Sequence, residues 1–126
     1  MSTRAVSSKE IVREKHELDA EGEILGRFST KIARLLMGKD KVSNVPYLDQ
    51  GDFVRVLNAS KVVVTGKKAE QKKYYIPTRR QGKLRFRTYE QQMQRDPKRI
   101  IRIAVKGMLP KTKLGARMIA RLKVEV

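Results

Sequence analysis

Cysteine and tryptophan are absent from this sequence of 126 residues, and histidine occurs once, as His16. Without cysteine the chain has no disulfides, no thiol nucleophile and none of the usual zinc clusters. No stretch approaches the roughly 20 apolar residues of a transmembrane helix, and the first ten residues lack the apolar core of a signal peptide. The length of 126 residues predicts one domain, and these absences predict a reducing compartment and no membrane as a partner.

Acidic residues are also scarce, and the shortage is concentrated in the second half of the chain. The sequence carries 30 Lys and Arg against 13 Asp and Glu, a net charge of +17. Residues 1–60 hold ten basic and nine acidic residues, whereas residues 61–126 hold 20 and four. A phosphate backbone neutralises such an excess best, because each contact releases condensed counterions. An anionic membrane calls instead for a basic amphipathic helix with exposed apolar side chains, so the charge favours nucleic acid.

The apolar pattern of the first half predicts a β-α-β unit. Apolar residues recur at the helical period across residues 24–37, and Gly38 follows as a helix end. Strand candidates at residues 15–19 and 53–58 flank this helix, and the near-continuous apolar run of the second is typical of a buried parallel strand. Parallel strands joined by a helix have a right-handed crossover. The pattern therefore predicts an α/β fold.

Shorter elements are expected in the second half. Thr88 and Gln91 have the spacing of a capping box at the start of a short helix, and residues 96–97 supply the cap and first-turn proline of another. We expect Gly107 and Pro110 to end that helix in a turn, with Gly107 left-handed or closely approached by backbone. The remaining predictions are extended pieces at 60–66 and 73–76, a loop at 78–87 pivoting on Gly82, a helix from Thr112 and a terminal strand at 123–126.

Basic side chains recur along one face of each of three predicted helices. Their helical spacing makes each set a cationic stripe, and like charges at that spacing repel by roughly 0.2–0.5 kcal/mol. A solvated surface explains one such stripe, but it usually mixes Glu with Lys, and residues 97–124 contain no acid. The stripes therefore favour an anionic partner. They consist of Arg27, Lys31 and Arg34, of Arg99, Arg102 and Lys106, and of Lys113, Arg117 and Arg121.

Residues 67–87 form the densest basic segment, with nine bases against the single acid Glu70. Tyr74, Tyr75 and Phe86 interleave with these bases. Basic side chains on an extended segment follow phosphates, and aromatic rings can stack on unpaired bases. Core packing is the competing role for the tyrosines, and at least one of the two neighbours is expected to face inward. We predict that this segment binds RNA.

No arrangement typical of catalysis is present. His16 is isolated on a predicted strand, and Asp49 and Asp52 are explained by the glycine turn between them. Residues 66–68 are similar to the end of a phosphate-binding loop, but the earlier glycine and the following hydroxyl residue are missing. We therefore predict no enzymatic activity, no metal, no cofactor and no small-molecule substrate.

Several phrases of the sequence occur together, in the same order, in one known family. The most specific is Ala-Val-Lys-Gly-Met-Leu-Pro-Lys at residues 104–111, closed by Leu-Lys-Val at residues 122–124. Across about residues 12–124 the sequence resembles the family of the thirteenth protein of the large ribosomal subunit, in its bacterial or organellar form. The other shared phrases are Leu18-Asp19-Ala20, Leu25-Gly26-Arg27, Gly38-Lys39-Asp40-Lys41, Gly51-Asp52-Phe53-Val54, Leu57-Asn58-Ala59-Ser60-Lys61-Val62 and Thr65-Gly66-Lys67-Lys68.

The resemblance implies a three-layer α/β/α fold around a small, mainly parallel sheet. It also implies direct binding to large-subunit ribosomal RNA, a role in early subunit assembly and, in some bacteria, repression of the protein's own messenger. Lys15 and His16 replace an aromatic pair of the family, and residues 76–83 replace a segment with His and Gly-Gly, although two arginines there still suit phosphate. The family's tail beyond the last strand has no counterpart after Val126, so no function of that tail is carried over.

Charge and resemblance together predict a non-enzymatic structural constituent of the large ribosomal subunit. We expect a single domain over residues 13–126, preceded by a flexible basic arm over residues 1–12. The expected partners are large-subunit rRNA and neighbouring ribosomal proteins, in the cytoplasm or an organellar matrix. The alternative is a translational repressor that binds its own messenger off the ribosome through the same surface. The predicted RNA-binding residues are Arg27, Lys31, Lys39, Lys41, Lys67, Lys68, Lys72, Lys73, Arg79, Arg80, Lys83, Arg85, Arg87, Lys106, Gly107, Lys111, Lys113, Arg117 and Arg121.

Overall fold

A computed structural model describes residues 7–126 of the chain. Residues 1–6 of the predicted basic arm lie outside the described residues, and Ser8–Glu10 form one turn of 3-10 helix. In chain order the elements are β1 Lys15–Asp19, α1 Leu25–Met37, β2 Phe53–Leu57, α2 Lys68–Gln71, β3 Lys73–Ile76, β4 Arg85–Thr88, α3 Tyr89–Arg95, α4 Pro97–Met108, α5 Lys113–Ala120 and β5 Leu122–Val124.

Helix α1 forms where the apolar period predicted it. Phe28, Ile32 and Leu36 lie on its inner face, each at most 2% exposed, and pack into the same core as α4. Burying side chains of this size stabilises a fold by about 1.5–3 kcal/mol each. Gly38 ends the helix in the left-handed region at φ 72°. A Cβ at this position would also lie only 2.9 Å from the Gln50 carbonyl oxygen, so the turn requires glycine.

The central sheet consists of three parallel strands in the order β1-β2-β5. His16 pairs with Val54 and Leu18 with Val56, while Leu122 pairs with Val54 from the other side. Alternation along β2 buries Val54 and Val56 completely. The predicted β-α-β unit, the α/β class and the small parallel sheet are therefore confirmed.

The helices cover one face of this sheet. Helices α1, α4 and α5 pack against one another and against β2 and β5, on the face that carries Val54 and Val56. Most side chains on the opposite face of the three strands are exposed to solvent in the described residues. The three strands follow one another across the sheet in one direction, so right-handed crossovers bring their helices to the same side. The exposed side chains of the opposite face are Lys15, Glu17, Asp19, Phe53, Arg55 and Lys123.

A separate antiparallel hairpin is formed by β3 and β4. The strand at residues 73–76 is confirmed, and Gly82 lies in the left-handed region at φ 78° in the connecting loop. The loop predicted at 78–87 is wrong at its end, because residues 85–87 pair with β3 as part of β4. The extended piece predicted at 60–66 reduces to a 3-10 turn and one bridge between Ile24 and Val63.

The helix ends of the second half differ from expectation at Asp96, which precedes α4 without a side-chain cap hydrogen bond, and at Gly107. The capping box at α3 is confirmed, with Gln91 N donating to Thr88 Oγ1 over 3.4 Å and Thr88 N donating to Gln91 Oε1 over 3.2 Å. The prediction for Gly107 is wrong, since this residue lies inside α4 with helical dihedrals, and a Cβ added there would meet no neighbouring atom within 4 Å. The helix ends one residue later, at Met108, because Leu109 turns extended and packs into the core.

Candidate nucleic-acid interface

The loop between β3 and β4 is a compact turn stabilised by one threonine. Thr78 Oγ1 lies 2.6 Å from the Lys83 carbonyl oxygen and 3.2 Å from that of Arg80, so its single proton is shared between the two acceptors. This contact draws the two arms of the loop together around Gly82. The charged side chains of the loop therefore project outward from a closed backbone.

Four predicted RNA-binding side chains surround one concave surface at this loop. Arg79, Arg80, Lys83 and Arg85 line a cavity of about 530 Å³, together with residues 76–78. All four are exposed, and within residues 7–126 none of them has a carboxylate partner. Uncompensated cations around a hollow attract a polyanion more strongly than the same cations spread over a flat surface. We name this surface the loop concavity.

The two adjacent tyrosines of the hairpin point in opposite directions. Tyr74 is 7% exposed and packs into the core, where burial and the neighbouring Tyr89 raise its pKa to about 12. Tyr89 is buried as well, and its hydroxyl donates to the Val62 carbonyl oxygen over 3.3 Å. Tyr75 is exposed. The expectation that at least one tyrosine faces inward is confirmed, and Tyr74 is excluded from any surface contact.

A second basic region lies where three segments meet. The start of α1, the end of α4 and residues 64–72 line a cavity of about 510 Å³, with Lys68 and Lys72 among its lining residues. Thr30 Oγ1 lies 3.6 Å from Met108 Sδ, which ties α1 to the end of α4. The structure thus places Lys68 and Lys72 beside the start of α1 at Gly26 and the end of α4 at Met108.

The stripe on α4 faces elsewhere. Arg99 and Arg102 line a cavity of about 270 Å³ with Leu122 and Val124, at the edge of the sheet formed by β5. Asp96 lies in the same cavity. These two arginines therefore lie at the β5 edge, in a different cavity from that of the loop concavity.

Arg121 is a largely buried side chain among the predicted binding residues, and it has internal partners. It follows the last residue of α5 and its side chain is only 9% exposed. Its guanidinium forms a two-pronged ion pair with Asp49, donates from Nη2 to the Leu36 carbonyl oxygen over 2.9 Å, and donates from Nε to that of Asp52 over 3.3 Å. A Cβ at Gly51 would lie 1.6 Å from the Leu36 oxygen. Arg121 thus holds the fold together, and its predicted RNA contact stays a prediction.

The pKa of Asp49 reports this environment. Burial alone would raise the pKa of its carboxyl group, but the hydrogen bonds and charge of Arg121, with the charge of Arg13, hold the pKa below its ordinary value. Arg13 also donates to the Asp49 carbonyl oxygen over 2.9 Å. No local pattern marks Arg13 in the sequence, because its partners lie 36 to 38 residues further along the chain.

Lys41 is likewise a structural residue. Its ammonium lies 2.6 Å from Asp52 Oδ1, 2.7 Å from the Val12 carbonyl oxygen and 2.8 Å from that of Gln50. All three donors are therefore in use, and the side chain is 24% exposed. Lys41 thus acts as a strap that fixes residue 12 and the loop before β2, and its predicted phosphate contact stays a prediction.

Asp52 is the centre of this strap, and both of its carboxylate oxygens have polar partners. Its second oxygen lies 3.0 Å from His16 Nε2, and its first also accepts from the Glu14 backbone N–H. Burial would raise the pKa of Asp52, but the Lys41 and His16 hydrogen bonds lower it overall. Glu14, His16 and Asp52 lie close enough to share a cation, yet Lys41 already supplies the positive charge there.

The remaining predicted RNA-binding residues differ in their exposure and in whether they form ion pairs within the protein. Lys31 pairs with Glu23 at 3.1 Å, and Arg34 of the same stripe pairs with Asp40 at 2.7 Å, so α1 is partly neutralised. Arg87 is half-buried opposite Tyr74 in the hairpin. The other predicted side chains are exposed, namely Arg27, Lys39, Lys67, Lys68, Lys72, Lys73, Lys106, Lys111, Lys113 and Arg117.

Fold and surface define a small α/β protein whose positive charge is concentrated on the second half of the chain. Within residues 7–126, no helix has the length and apolar character to cross a membrane. A family model described as "Ribosomal protein L13" matches residues 13–124. The chain belongs to this ribosomal protein L13 family, which confirms the resemblance seen in the sequence. Membership in a ribosomal protein family also confirms the expectation of a structural, non-enzymatic protein.

Similar proteins in three bacteria carry the name "Large ribosomal subunit protein uL13". The protein of Roseiflexus castenholzii is 46% identical over 124 residues, which is 98% of this chain and 85% of the relative. That of Thermotoga maritima is 46% identical over 122 residues, 97% of this chain and 82% of the relative. That of Maridesulfovibrio salexigens is 48% identical over 124 residues, 98% of this chain and 87% of the relative.

Proposed function

We propose that this protein is a structural constituent of the large ribosomal subunit that binds large-subunit rRNA directly and supports early subunit assembly. Neighbouring large-subunit proteins are its further partners. The location that follows is the ribosome, in the cytoplasm of a bacterium or the matrix of an organelle. Family membership and the names of the relatives support the ribosomal part of this proposal.

The loop concavity is the observation that carries the RNA-binding part. Four cations meet around one hollow, and no carboxylate among residues 7–126 neutralises them. Each phosphate that replaces their counterions gains free energy from ion release, which makes binding steeply dependent on salt. The loop is closed by Thr78 before any ligand arrives, so little backbone entropy is lost when phosphates bind.

The core is suited to dock as a preformed body. Helices α1 and α4 bury their apolar faces against each other and against the sheet without any contribution from the loop concavity. Charges on the concavity can therefore serve RNA without weakening the core. A prefolded protein that neutralises phosphates binds the compact form of its RNA best and so shifts the RNA toward that form. Such a shift is how the protein would support subunit assembly.

Sedimentation tests the proposal. The tagged full-length protein is expressed in a bacterium whose own copy has been replaced, and lysates are separated on sucrose gradients before and after a high-salt wash. We expect the protein to remain with large subunits through the wash, and depletion to cause precursor particles to accumulate. A protein that leaves the particles in high salt and recovers with messenger RNA would instead be the free translational repressor.

A further inference from the structure

Two aromatic side chains lie side by side on the exposed face of the hairpin. Tyr75 on β3 is directly opposite Phe86 on β4, and the two residues are 57% and 50% exposed. Side chains alternate along a strand, so Tyr74 occupies the other face and is buried. The hairpin therefore contributes Tyr74 to the core, while Tyr75 and Phe86 face outward.

A lysine completes this face. Lys73, two residues before Tyr75 on the same strand, places its ammonium over the Phe86 ring at 4.5 Å from the ring centroid. The contact holds a cation beside the pair without using a carboxylate. No cation covers the ring of Tyr75 within the described residues. The Tyr75 ring is thus open to a stacking partner, and Lys73 is held beside it by its contact with Phe86.

We propose that the Tyr75–Phe86 face is a stacking site for an unpaired nucleotide of RNA, with the Tyr75 ring against the base and Lys73 against a neighbouring phosphate. This rests on the proposed function and deepens it by naming the form of RNA, a single-stranded loop or bulge. Bases inside a duplex are already stacked and cannot lie on a side chain. Every base has an aromatic face, so the site needs no particular sequence.

Charge complementarity selects a nucleotide over a protein as the occupant. The aromatic pair lies within residues 67–87, which hold nine basic residues and one acid. A protein partner would have to bring a matching acidic surface to an apolar contact. A single-stranded nucleotide brings both parts in one unit, a flat apolar base and an attached negative phosphate.

Stacking is measured with the full-length protein and two probes of equal length. One is a single-stranded oligoribonucleotide carrying 2-aminopurine at its centre, and the other is the same strand in a blunt duplex. The variants are Tyr75→Leu, which keeps apolar bulk without an aromatic ring, and Tyr75→Phe, which keeps the ring. Binding is followed by anisotropy, and stacking by quenching of the 2-aminopurine fluorescence.

We expect Tyr75→Leu to weaken binding of the single strand by about fivefold to a hundredfold, the effect of losing one base stack. Quenching should disappear in Tyr75→Leu and persist in Tyr75→Phe. Affinity for the duplex and the melting temperature should stay at parent values in both variants, since Tyr75 is exposed.

Three results would overturn the stacking site. One is a Tyr75→Leu variant that binds and quenches the single strand like the parent. Another is an equal loss of single-strand and duplex binding in Tyr75→Leu, which would show that the substitution acts on RNA binding in general rather than on base stacking. The third is unchanged RNA binding combined with loss from large subunits in gradients, which would assign the face to a neighbouring protein. In each case the sedimentation of the parent with large subunits still decides the proposed function separately.

Discussion

Arg121 and Asp49 form an ion pair that joins the end of α5 to the loop before β2, with both side chains only 9% exposed. Arg121 Nη2 donates to Asp49 Oδ1 over 2.7 Å, and Nη1 donates to the other carboxylate oxygen. The same guanidinium also reaches the end of α1 at Leu36. One side chain thereby fastens three elements that are distant in the sequence.

Removing this guanidinium should therefore destabilise the fold. Arg121→Met keeps much of the apolar stem but leaves Asp49 buried without its partner, and we expect a loss of about 3 kcal/mol. For a domain of this size that lowers the melting temperature by about 10 °C. Arg117→Met, on the exposed surface of α5 one turn earlier, is the matched control and should change stability by less than about 0.5 kcal/mol. Equal melting temperatures for the two variants would contradict the structural role of Arg121.

Acid should unfold the protein through the same region. The pKa values of Asp49 and Asp52 both lie below their ordinary value of 3.8, so the unfolded chain binds protons more tightly than the folded one. Their stabilising contribution is then complete above the ordinary pKa and is lost as the pH falls through the lowered values. Urea unfolding at a series of pH values should show stability falling from about pH 5 downward. The fall should be smaller in Asp49→Asn, and a parent whose stability is flat down to about pH 2 would refute this origin.

Two glycines in neighbouring helices should respond to alanine in opposite ways. A Cβ at Gly115 would lie 1.7 Å from the Pro110 carbonyl oxygen, and backbone cannot yield, so Gly115→Ala should cost about 2 kcal/mol or more. Gly107 is helical and open to solvent, so Gly107→Ala should stabilise the protein by about 0.5–1 kcal/mol. Thermal unfolding of both variants is the measurement. Destabilisation by Gly107→Ala would show that the turn after α4 needs glycine after all.

Charge reversal at the loop concavity should remove RNA binding and spare the fold. We expect Arg79→Glu, Arg80→Glu and Arg85→Glu together to weaken binding by about a hundredfold or more, while exposed charges contribute little to unfolding free energy. Arg87 is left unchanged because it is half-buried. The matched control reverses three exposed lysines elsewhere, Lys9, Lys15 and Lys123, for the same change in net charge.

Filter binding and melting curves for these variants separate the surface from the core. Ile32→Ala is the opposite case, since truncating a fully buried side chain costs about 2–5 kcal/mol and should affect RNA binding only through unfolding. If the control triple variant loses as much affinity as the concavity variant, overall charge rather than the concavity carries binding.

The salt dependence of RNA binding gives an independent count of contacts. Each neutralised phosphate contributes about −0.7 to −0.9 to the slope of log affinity against log salt concentration. A surface making about eight contacts should give a slope of about −6, and the concavity variant should reduce it by about 2 to 3. A parent slope shallower than about −2 would contradict a phosphate-contact mechanism.

Elements with a local signal could be predicted from the sequence. Helix α1 has an uninterrupted apolar period and a glycine end, and the capping box of α3 involves only residues 88 and 91. Strand β4 lacks such a signal, because Arg85-Phe86-Arg87-Thr88 alternates charge with one aromatic residue and is extended only through its pairing with β3. The sequence of β4 alone therefore does not predict a strand, because its extended conformation depends on β3.

Long-range ion pairs explain why the internal contacts of some predicted site residues could not be predicted from the sequence. Arg121 shares the helical spacing of Lys113 and Arg117, but its partner Asp49 is 72 residues away in the sequence. Lys41 is similar, with its contacts divided between residues 12, 50 and 52. Spacing along a helix identifies which basic side chains share a face. It does not show which of them pairs with a carboxylate from a distant segment of the chain.

The order of strands in the sheet also determines when the fold can be completed. Strand β2 is central, yet its second neighbour, β5, comes about 65 residues later in the chain. Closing so long a loop costs entropy before any pairing compensates for it, and domains dominated by such distant pairings fold slowly. The β1-α1-β2 half is therefore the earliest native-like part available during synthesis, while β5 and Arg121 join last. Folding kinetics should accordingly be limited by the arrival of the final residues rather than by the formation of any helix.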